Sequence, residues 1–222
     1  NVAWYCRKTG AALLFPFSMA VLGDPVDFPI TTAHRRAPMN WYGRTKYLSE
    51  RDIEGFAEGA FPAIQFMISN LYGHHRVDGR RISKGTVINF FVERALAGEP
   101  LTVYEPGTQS RNFVHVSDVA QAMARGVEHA LDLRAAGETG SREYTVGTDD
   151  VLSVHRVAEI VQSAVVAETG TEPPIKLVEN PRADETLVSE FAVDTSATRE
   201  ALGWSPGRTV ADAVADLVTD GA

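Results

Sequence analysis

Two continuous apolar segments near the start of this 222-residue chain constrain its fold most strongly. They run from Ala11 to Met19 and from Ala63 to Ser69, and the stretch between about Tyr42 and Gly59 has helical spacing. A strand that is apolar along both sides is covered on both faces, which is typical of a parallel sheet layered with helices. The order strand, helix, strand therefore predicts an α/β fold. Pro16 lacks a ladder donor, so we expect the first strand to be irregular.

Helices and short strands alternate along the rest of the chain, and no internal repeat is present. A loop rich in glycine and arginine is expected from His74. Hydrophobic spacing and capping residues predict four further strands, at 101–104, 112–116, 143–146 and 175–179. They also predict five helices after the loop, at 86–97, from Ser117 or Asp118 to His129, from Ser153 to Gly170, at 196–202 and from Thr209 onward.

Composition excludes several classes of protein. The chain holds 29 acidic and 21 basic residues, for a net charge of -8, and the two signs are interspersed, so no basic stripe for nucleic acid is expected. Cys6 is the single cysteine and cannot form an internal disulfide. The cysteine and histidine residues are not spaced as metal ligands, and His74 and His75 are expected to be solvated. No apolar run reaches the roughly 20 residues of a membrane span. A cytoplasmic location is the expectation.

Tyr42 and Lys46 stand four residues apart on a predicted helix, so their side chains project from one face. A lysine ammonium stabilises a neighbouring phenolate, which is what a general base acting on a hydroxyl needs. The same spacing also fits an ordinary solvated helix face. Ser18, at the end of the first apolar segment, adds a hydroxyl at the carboxyl end of a parallel strand, where open α/β sheets bind ligands.

Ser18 together with Tyr42-Gly43-Arg44-Thr45-Lys46 resembles the Ser…Tyr-x-x-x-Lys constellation of the extended short-chain dehydrogenases, the NAD-dependent sugar-nucleotide epimerase/dehydratase family. Further segments are similar to later landmarks of that family and occur in the same order. They are Asn70-Leu71-Tyr72-Gly73, residues 97–104, residues 111–120, Tyr144-Thr145-Val146-Gly147, Arg182-Ala183-Asp184-Glu185 and residues 201–206. Nearly the whole chain is covered by these matches.

The resemblance implies a role for each matching residue. Ser18 would hydrogen-bond the reacting sugar hydroxyl, Tyr42 would be the acid/base, and Lys46 would hold the nicotinamide ribose. The NAD contacts implied are Tyr42, Lys46 and Ile68. The implied substrate contacts are Asn70, Arg111 and Arg182 on the diphosphate, Glu185 on the nucleoside ribose, and Tyr104 beside the base. A guanidinium suits a diphosphate because it donates two parallel hydrogen bonds.

The resemblance also implies a Rossmann-like parallel sheet with a smaller substrate-binding α/β domain. Residues 1–73 and 108–150 would form part of the NAD-binding domain, and residues 74–107 and 151–222 the sugar-nucleotide domain. The helix that carries Tyr42 and Lys46 is the usual dimer helix of the family, so a homodimer is expected.

The sequence departs from the family pattern in two places that matter here. None of its 18 glycines forms the glycine-rich dinucleotide fingerprint, and the chain opens without methionine inside a predicted helix, residues 1–8. We therefore expect that an amino-terminal part precedes this chain, and that the chain alone binds NAD weakly and is inactive. In addition, Asn112 stands where the family has an aspartate.

Three functions compete at this level. The first is an NAD-dependent 4-epimerase of a nucleoside-diphosphate sugar, with UDP-sugars as the expected class and UDP-glucose 4-epimerase as the model. The second is a 4,6-dehydratase, decarboxylase or reductase of the same family. The dehydratases and decarboxylases commonly carry an acidic residue directly after the first strand, where this chain has Met19 and Ala20. The third is a non-catalytic sugar-nucleotide-binding protein, because the fingerprint is absent.

Overall fold

The computed structural model describes residues 1–83, 85–181 and 188–221. Seven helices are described, namely α1 Val2–Thr9, α2 Trp41–Ala57, α3 Val87–Leu96, α4 Val116–Ala135, α5 Val154–Thr169, α6 Ser196–Leu202 and α7 Val210–Thr219. Ten strands are described, namely β1 Leu13–Ser18, β2 Pro62–Ile68, β3 Asn70–Tyr72, β4 His74–Val77, β5 Arg80–Ser83, β6 Leu101–Tyr104, β7 Ser110–His115, β8 Gly140–Val146, β9 Val151–Ser153 and β10 Ile175–Val178. One 3-10 turn, Met19–Val21, follows β1.

The chain divides into two compact units, and the polypeptide passes between them several times. The first unit contains Asn1–Ser69, Val119–Gly147 and Val193–Ser205. The second contains Asn70–Asp118, Thr148–Ala192 and Pro206–Ala222. The mixed α/β architecture with parallel strands confirms the predicted fold class. The functional division into a cofactor domain and a substrate domain stays a prediction.

The first unit is built on a parallel sheet in the order β1-β2-β8. β2 is its central strand and is buried along nearly its whole length, as its apolar sequence predicted. Helices α1 and α2 cover one region of the sheet, where Cys6, Ile53 and Phe61 pack together. Pro16 does not interrupt the sheet, because β1 pairs with β2 continuously from Leu13 to Ser18. Among the described residues β1 is an edge strand, where a missing ladder donor is tolerated.

The second unit has a core formed by helices α3, α5 and α7 together with buried residues of β3, β6 and β7. The buried residues of the helices follow helical spacing, for example Val157, Val161 and Val165 of α5. The described strands of this unit form three small sheets. Strands β3, β7 and β9 form one sheet, β6 and β10 form a parallel pair, and β4 and β5 form an antiparallel hairpin.

The hairpin β4–β5 corrects the loop that we expected from His74. Asp78 and Gly79 both have positive φ angles, of 49° and 76°, so an Asp-Gly pair makes the tight turn that favours a two-residue hairpin. His74 was expected to be solvated, and the structure contradicts this expectation. Its side chain is mostly buried, and its Nε2 lies 3.2 Å from Oδ2 of Asp220, a residue far away in the sequence.

Helix α4 begins at Val116, before the predicted N-cap at Ser117 or Asp118, and extends past His129 to Ala135. His115 takes the capping position, because its Nδ1 accepts a hydrogen bond from the Ser117 backbone N–H at 3.2 Å. Burial lowers the pKa of His115, which favours the neutral imidazole, the form that has an acceptor nitrogen. Asp118 is buried inside the first turn, where its carboxylate accepts from the Arg208 backbone N–H.

No helix within the described ranges is both long enough and apolar enough to cross a membrane.

Candidate active site

The carboxyl end of the first unit's sheet carries Ser18 and Ile68. The two residues are neighbours in register on β1 and β2, and Val146 of β8 completes the row. Ser18 Oγ accepts a hydrogen bond from the Ala20 backbone N–H at 3.2 Å and so caps the 3-10 turn. A hydroxyl that accepts in this way keeps its own hydrogen for donation, so Ser18 can still donate to a ligand oxygen.

Helix α2 presents Tyr42 and Lys46 one turn apart. Asn40 begins the helix, and its Oδ1 accepts from the Gly43 backbone N–H at 2.9 Å. The Lys46 Nζ lies 5.8 Å from the centroid of the Tyr42 ring and 5.2 Å from that of Phe15 on β1. The Tyr42 side chain is accessible, with 54% of the residue surface exposed. The structure therefore brings the phenol and the ammonium together on an open face, as their spacing predicted.

Gly43 allows α2 to approach the turn that follows Ser18. A Cβ on Gly43 would lie 2.5 Å from the carbonyl oxygen of Ala20 and 2.9 Å from Cβ of Pro38. No side chain larger than hydrogen fits there without moving backbone. This close contact joins the element that carries Tyr42 to the turn that carries Ser18, and the sequence analysis did not single it out.

The 3-10 turn directly after Ser18 offers no acidic group. Met19 is buried, Ala20 has only a methyl group, and Val21 is fully buried. A carboxylate that could take part in a second proton transfer is thus absent from these positions.

The second unit contains the implied substrate residues Asn70, Tyr104 and Arg111. Asn70 begins β3 and donates through Nδ2 to the Asn112 carbonyl oxygen at 3.1 Å. Arg111 lies half-buried on β7, and one of its guanidinium nitrogens donates to the Ser110 carbonyl oxygen at 2.8 Å. Tyr104 ends β6, which belongs to a different small sheet. Arg182 and Glu185 lie outside the described residues.

Asn112 is fully buried on β7, and its side-chain amide satisfies three backbone groups. Its Nδ2 donates to the carbonyl oxygens of Thr148 and Asp150, at 2.7 and 3.1 Å. Its Oδ1 accepts from the Thr148 backbone N–H at 3.0 Å. An aspartate could not donate to the two carbonyls, so the neighbouring loop accounts for the asparagine at this position.

A buried ionic cluster in the first unit was missed by the sequence analysis. Arg36 contacts both Glu50 of α2 and Glu143 of β8, each at 2.8 Å. Burial raises the pKa of Glu143 to about 7, and the Glu50 carboxylate adds to this shift while Arg36 opposes it. The three residues are far apart in the sequence, so no local motif could have revealed the cluster.

Within the described ranges, no group of three or more histidine, cysteine, aspartate or glutamate side chains could hold a metal ion.

A family model for the NAD dependent epimerase/dehydratase family matches residues 1–147, which is well over half of the chain. This chain belongs to that family. The family is NAD-dependent and includes sugar-nucleotide epimerases, dehydratases and decarboxylases, which confirms the resemblance drawn from the motifs.

Curated relatives carry more than one activity. The chain is 27% identical over 221 residues to UDP-glucuronic acid decarboxylase 6 of Arabidopsis thaliana, covering 93% of this chain and 56% of the relative. It is 28% identical over 192 residues to a putative UDP-glucose 4-epimerase of Methanocaldococcus jannaschii, covering 84% of this chain and 55% of the relative. The chain thus spans about half the length of the curated relatives it matches.

Solved structures share the fold. MoeE5 in complex with UDP-glucuronic acid and NAD superposes with a TM-score of 0.77 at 22% identity. The match covers 100% of this chain and 69% of MoeE5. At this level of identity the likeness shows a common fold, and the reaction of this chain has to be argued from its own residues.

Proposed function

We propose that this chain carries the reacting-group site of an NAD-dependent 4-epimerase of nucleoside-diphosphate sugars, with UDP-sugars as substrates. The observation that supports the proposal most directly is the pairing of Tyr42 with Lys46 beside the turn of Ser18, combined with Met19 and Ala20 after that serine. The pair provides a proton carrier, and the turn provides no second acid.

Each residue has a definite task in this reaction. NAD, when bound, supplies reversible hydride acceptance at the sugar C4 carbon. Tyr42 takes the proton of the C4 hydroxyl during oxidation and gives it back during reduction, Ser18 hydrogen-bonds that hydroxyl, and the Lys46 ammonium favours the phenolate form of Tyr42. The configuration at C4 inverts when hydrogen returns to the opposite face of the sugar.

The residues present fit the nicotinamide end of the cofactor. An ammonium and an accessible phenol stand one turn apart on α2, and Ile68 provides an apolar side chain at the carboxyl end of β2. We assign Tyr42, Lys46 and Ile68 to this role. The pyrophosphate is normally cradled by a glycine-rich turn at a helix amino terminus, a motif that the 222 residues do not contain.

The second unit supplies the proposed substrate contacts. Arg111 and Asn70 offer donors for a diphosphate, and Tyr104 offers an aromatic face for the base; Arg182 and Glu185 are assigned to the diphosphate and the ribose from the motif alone. We keep the division proposed from the sequence, with residues 1–73 and 108–150 serving the cofactor and residues 74–107 and 151–222 serving the sugar nucleotide.

A decarboxylase is the second candidate, because several relatives carry that name. It would need an acid near the reacting carbons, and the positions after Ser18 hold none.

The proposal also includes a homodimer in the cytoplasm. Large apolar side chains are exposed on α1 and α2, among them Trp4, Tyr5, Trp41 and Leu48, and such a surface is typical of a subunit interface.

The test uses the protein at its natural length, supplied with NAD and either UDP-glucose or UDP-glucuronic acid. Proton NMR of the products distinguishes the candidates. A C4 epimer supports the proposal, whereas a UDP-pentose with release of carbon dioxide identifies a decarboxylase. Binding of UDP-sugar without any conversion would identify a non-catalytic binding protein.

A further inference from the structure

Arg36 is the centre of an unusually complete set of contacts in the first unit. Its Nε donates to Glu50 Oε1 at 2.9 Å, and its Nη2 donates to both carboxylate oxygens of Glu143 at 2.8 Å. Its Nη1 donates to the carbonyl oxygens of Thr32 and His34, at 2.9 and 2.6 Å. All three nitrogens of the guanidinium are therefore engaged, which fixes the side chain in one geometry.

The cluster is buried, so removing its charges from water costs free energy that a surface ion pair would not lose. Only 9% of the Arg36 side chain and 8% of the Glu50 side chain are exposed. One guanidinium faces two carboxylates, which is an excess of acid in a place shielded from water. Replacing a buried ionic cluster by apolar residues is often neutral for stability, so the presence of this cluster is by itself weak evidence for a stabilising role.

The position of the cluster along the sheet connects it to the reacting groups. Phe15, Gln65 and Glu143 lie side by side in register on β1, β2 and β8. Helix α2 contacts this row at two points. Its Lys46 contacts the Phe15 ring, and the Glu50 carbonyl oxygen accepts from Gln65 Nε2 at 3.3 Å.

Tyr42, Lys46 and Glu50 follow one another at intervals of four residues, so they descend one side of α2 from its exposed start to its buried middle. Glu50 is the point at which this side of the helix is tied to the sheet through Arg36 and Glu143. The same arginine also holds the segment just before α2, through Thr32 and His34.

We propose that Arg36 is a positioning residue for Tyr42 and Lys46, acting through its contacts with Glu50 and Glu143 to fix the rotation and height of α2 on the sheet. The inference rests on the proposed function for its kinetic consequence, although the fixed helix itself can be tested without it. Arg36 does not touch the reacting groups. Its effect comes through the helix, and a displacement of about 1 Å is enough to slow a positioned reaction by on the order of a hundredfold.

The experiment compares Arg36→Lys with Arg51→Lys in the natural-length protein. Arg36→Lys keeps the positive charge but loses the fork that joins the two glutamates. Arg51 is the matched control, because it pairs with Glu54 on the exposed side of the same helix. Glu50→Gln is a second variant, which retains the side-chain shape if the lysine variant fails to fold.

The first measurement is amide hydrogen exchange and does not depend on activity. We expect Arg36→Lys and Glu50→Gln to raise exchange about tenfold at residues 44–50, whose amides follow the first helical hydrogen bond of α2, while α5 in the second unit keeps its protection and the control variant is unchanged. Protection at residues 44–50 that stays unchanged, or falls equally in both units, overturns the proposal.

The second measurement is the rate of UDP-sugar epimerisation. We expect kcat to fall at least tenfold in Arg36→Lys while KM stays within about twofold, because substrate contacts are untouched. An unchanged kcat, or a purely KM effect, overturns the positioning role. If the wild-type protein converts no sugar nucleotide, the proposed function fails, and the exchange experiment still decides whether Arg36 fixes α2.

Discussion

In the proposed reaction, proton transfer depends on a single atom, the phenol oxygen of Tyr42. The phenol is exposed and has the Lys46 ammonium beside its ring, so in the proposed reaction it moves a proton but contributes little to holding the nucleotide. Binding and turnover should therefore separate when the hydroxyl is removed.

We expect Tyr42→Phe to lower kcat by at least about a hundredfold while the affinity for UDP-sugar changes less than about threefold, because general acid–base groups contribute about 10²- to 10⁴-fold. NMR turnover assays and calorimetric titration of UDP-sugar measure the two quantities. Tyr47→Phe, on the same helix, is the control and should behave as wild type. Equal losses of binding and rate would contradict the assignment.

Gly43 matters because it lacks a side chain, which lets α2 pack closely against the turn after Ser18. Gly43→Ala would place a methyl group against the Ala20 backbone, so α2 has to shift away from the Ser18 turn. We expect kcat to fall by about tenfold to a hundredfold. Gly55→Ala on the same helix is the control, because nothing lies within 4 Å of its added methyl group. It should retain full activity, and equal effects of the two substitutions would refute the close-contact argument.

Glu143 makes stability depend on pH in a direction that can be stated. Its pKa is raised from 4.5 to about 7 in the folded protein, so between these values the folded state holds a proton that the unfolded state has released. Stability therefore falls as pH rises through this window. Glu143→Gln removes the ionisation while keeping an acceptor for Arg36.

We expect the unfolding free energy of Glu143→Gln, relative to that of wild type, to rise by about 1 to 2 kcal/mol from pH 5 to pH 8, as measured by urea denaturation. Glu54→Gln, on an exposed part of α2, is the control and should show no such change. Parallel curves for wild type and Glu143→Gln would show that the carboxyl ionises normally.

At the level of elements, β7 and the loop after β8 are joined by one buried amide. Asn112→Asp would put a charge in that position and remove the two hydrogen bonds to the Thr148 and Asp150 carbonyls. We expect a loss of about 2 to 4 kcal/mol in unfolding free energy at pH 7. Chemical denaturation checks it.

The control for that substitution is Asn40→Asp. Asn40 uses its side-chain oxygen as an acceptor at the start of α2, a task that aspartate performs equally well. The control should therefore be neutral or slightly stabilising. A stable Asn112→Asp variant would mean that the strand tolerates the residue usual in the family.

At the level of the whole molecule, the exposed apolar residues of α1 and α2 predict self-association. Leu48 is 62% exposed, and a lysine there would place a charge in the proposed dimer interface. We expect wild type to sediment as a dimer at micromolar concentration and Leu48→Lys to sediment as a monomer with unchanged circular dichroism. Leu131→Lys on α4 is the control, being similarly exposed on another helix. A monomeric wild type would contradict the homodimer.

Local patterns determined much of this protein in advance. The apolar runs specified β1 and β2 as strands, but the expected burial on both faces holds only for β2, since β1 is, among the described residues, an edge strand that is mostly half-buried. Helices α5, α6 and α7 follow from their spacing and from end signals such as Ser153 and Gly170, which act within one turn of the chain. The Tyr42–Lys46 pair was also readable, because residues four apart on a helix are necessarily neighbours.

Only the tertiary structure decided what joins distant segments. Arg36, Glu50 and Glu143 meet because α2 packs against the row of residues that strand register creates, and register is a property of pairing rather than of any one segment. The close contact of Gly43 with Ala20 likewise depends on where the helix docks. His115 replaced Ser117 and Asp118 as the cap of α4 because its ring reaches the first-turn N–H, and the buried Asp118 carboxylate instead accepts from Arg208, ninety residues along the chain.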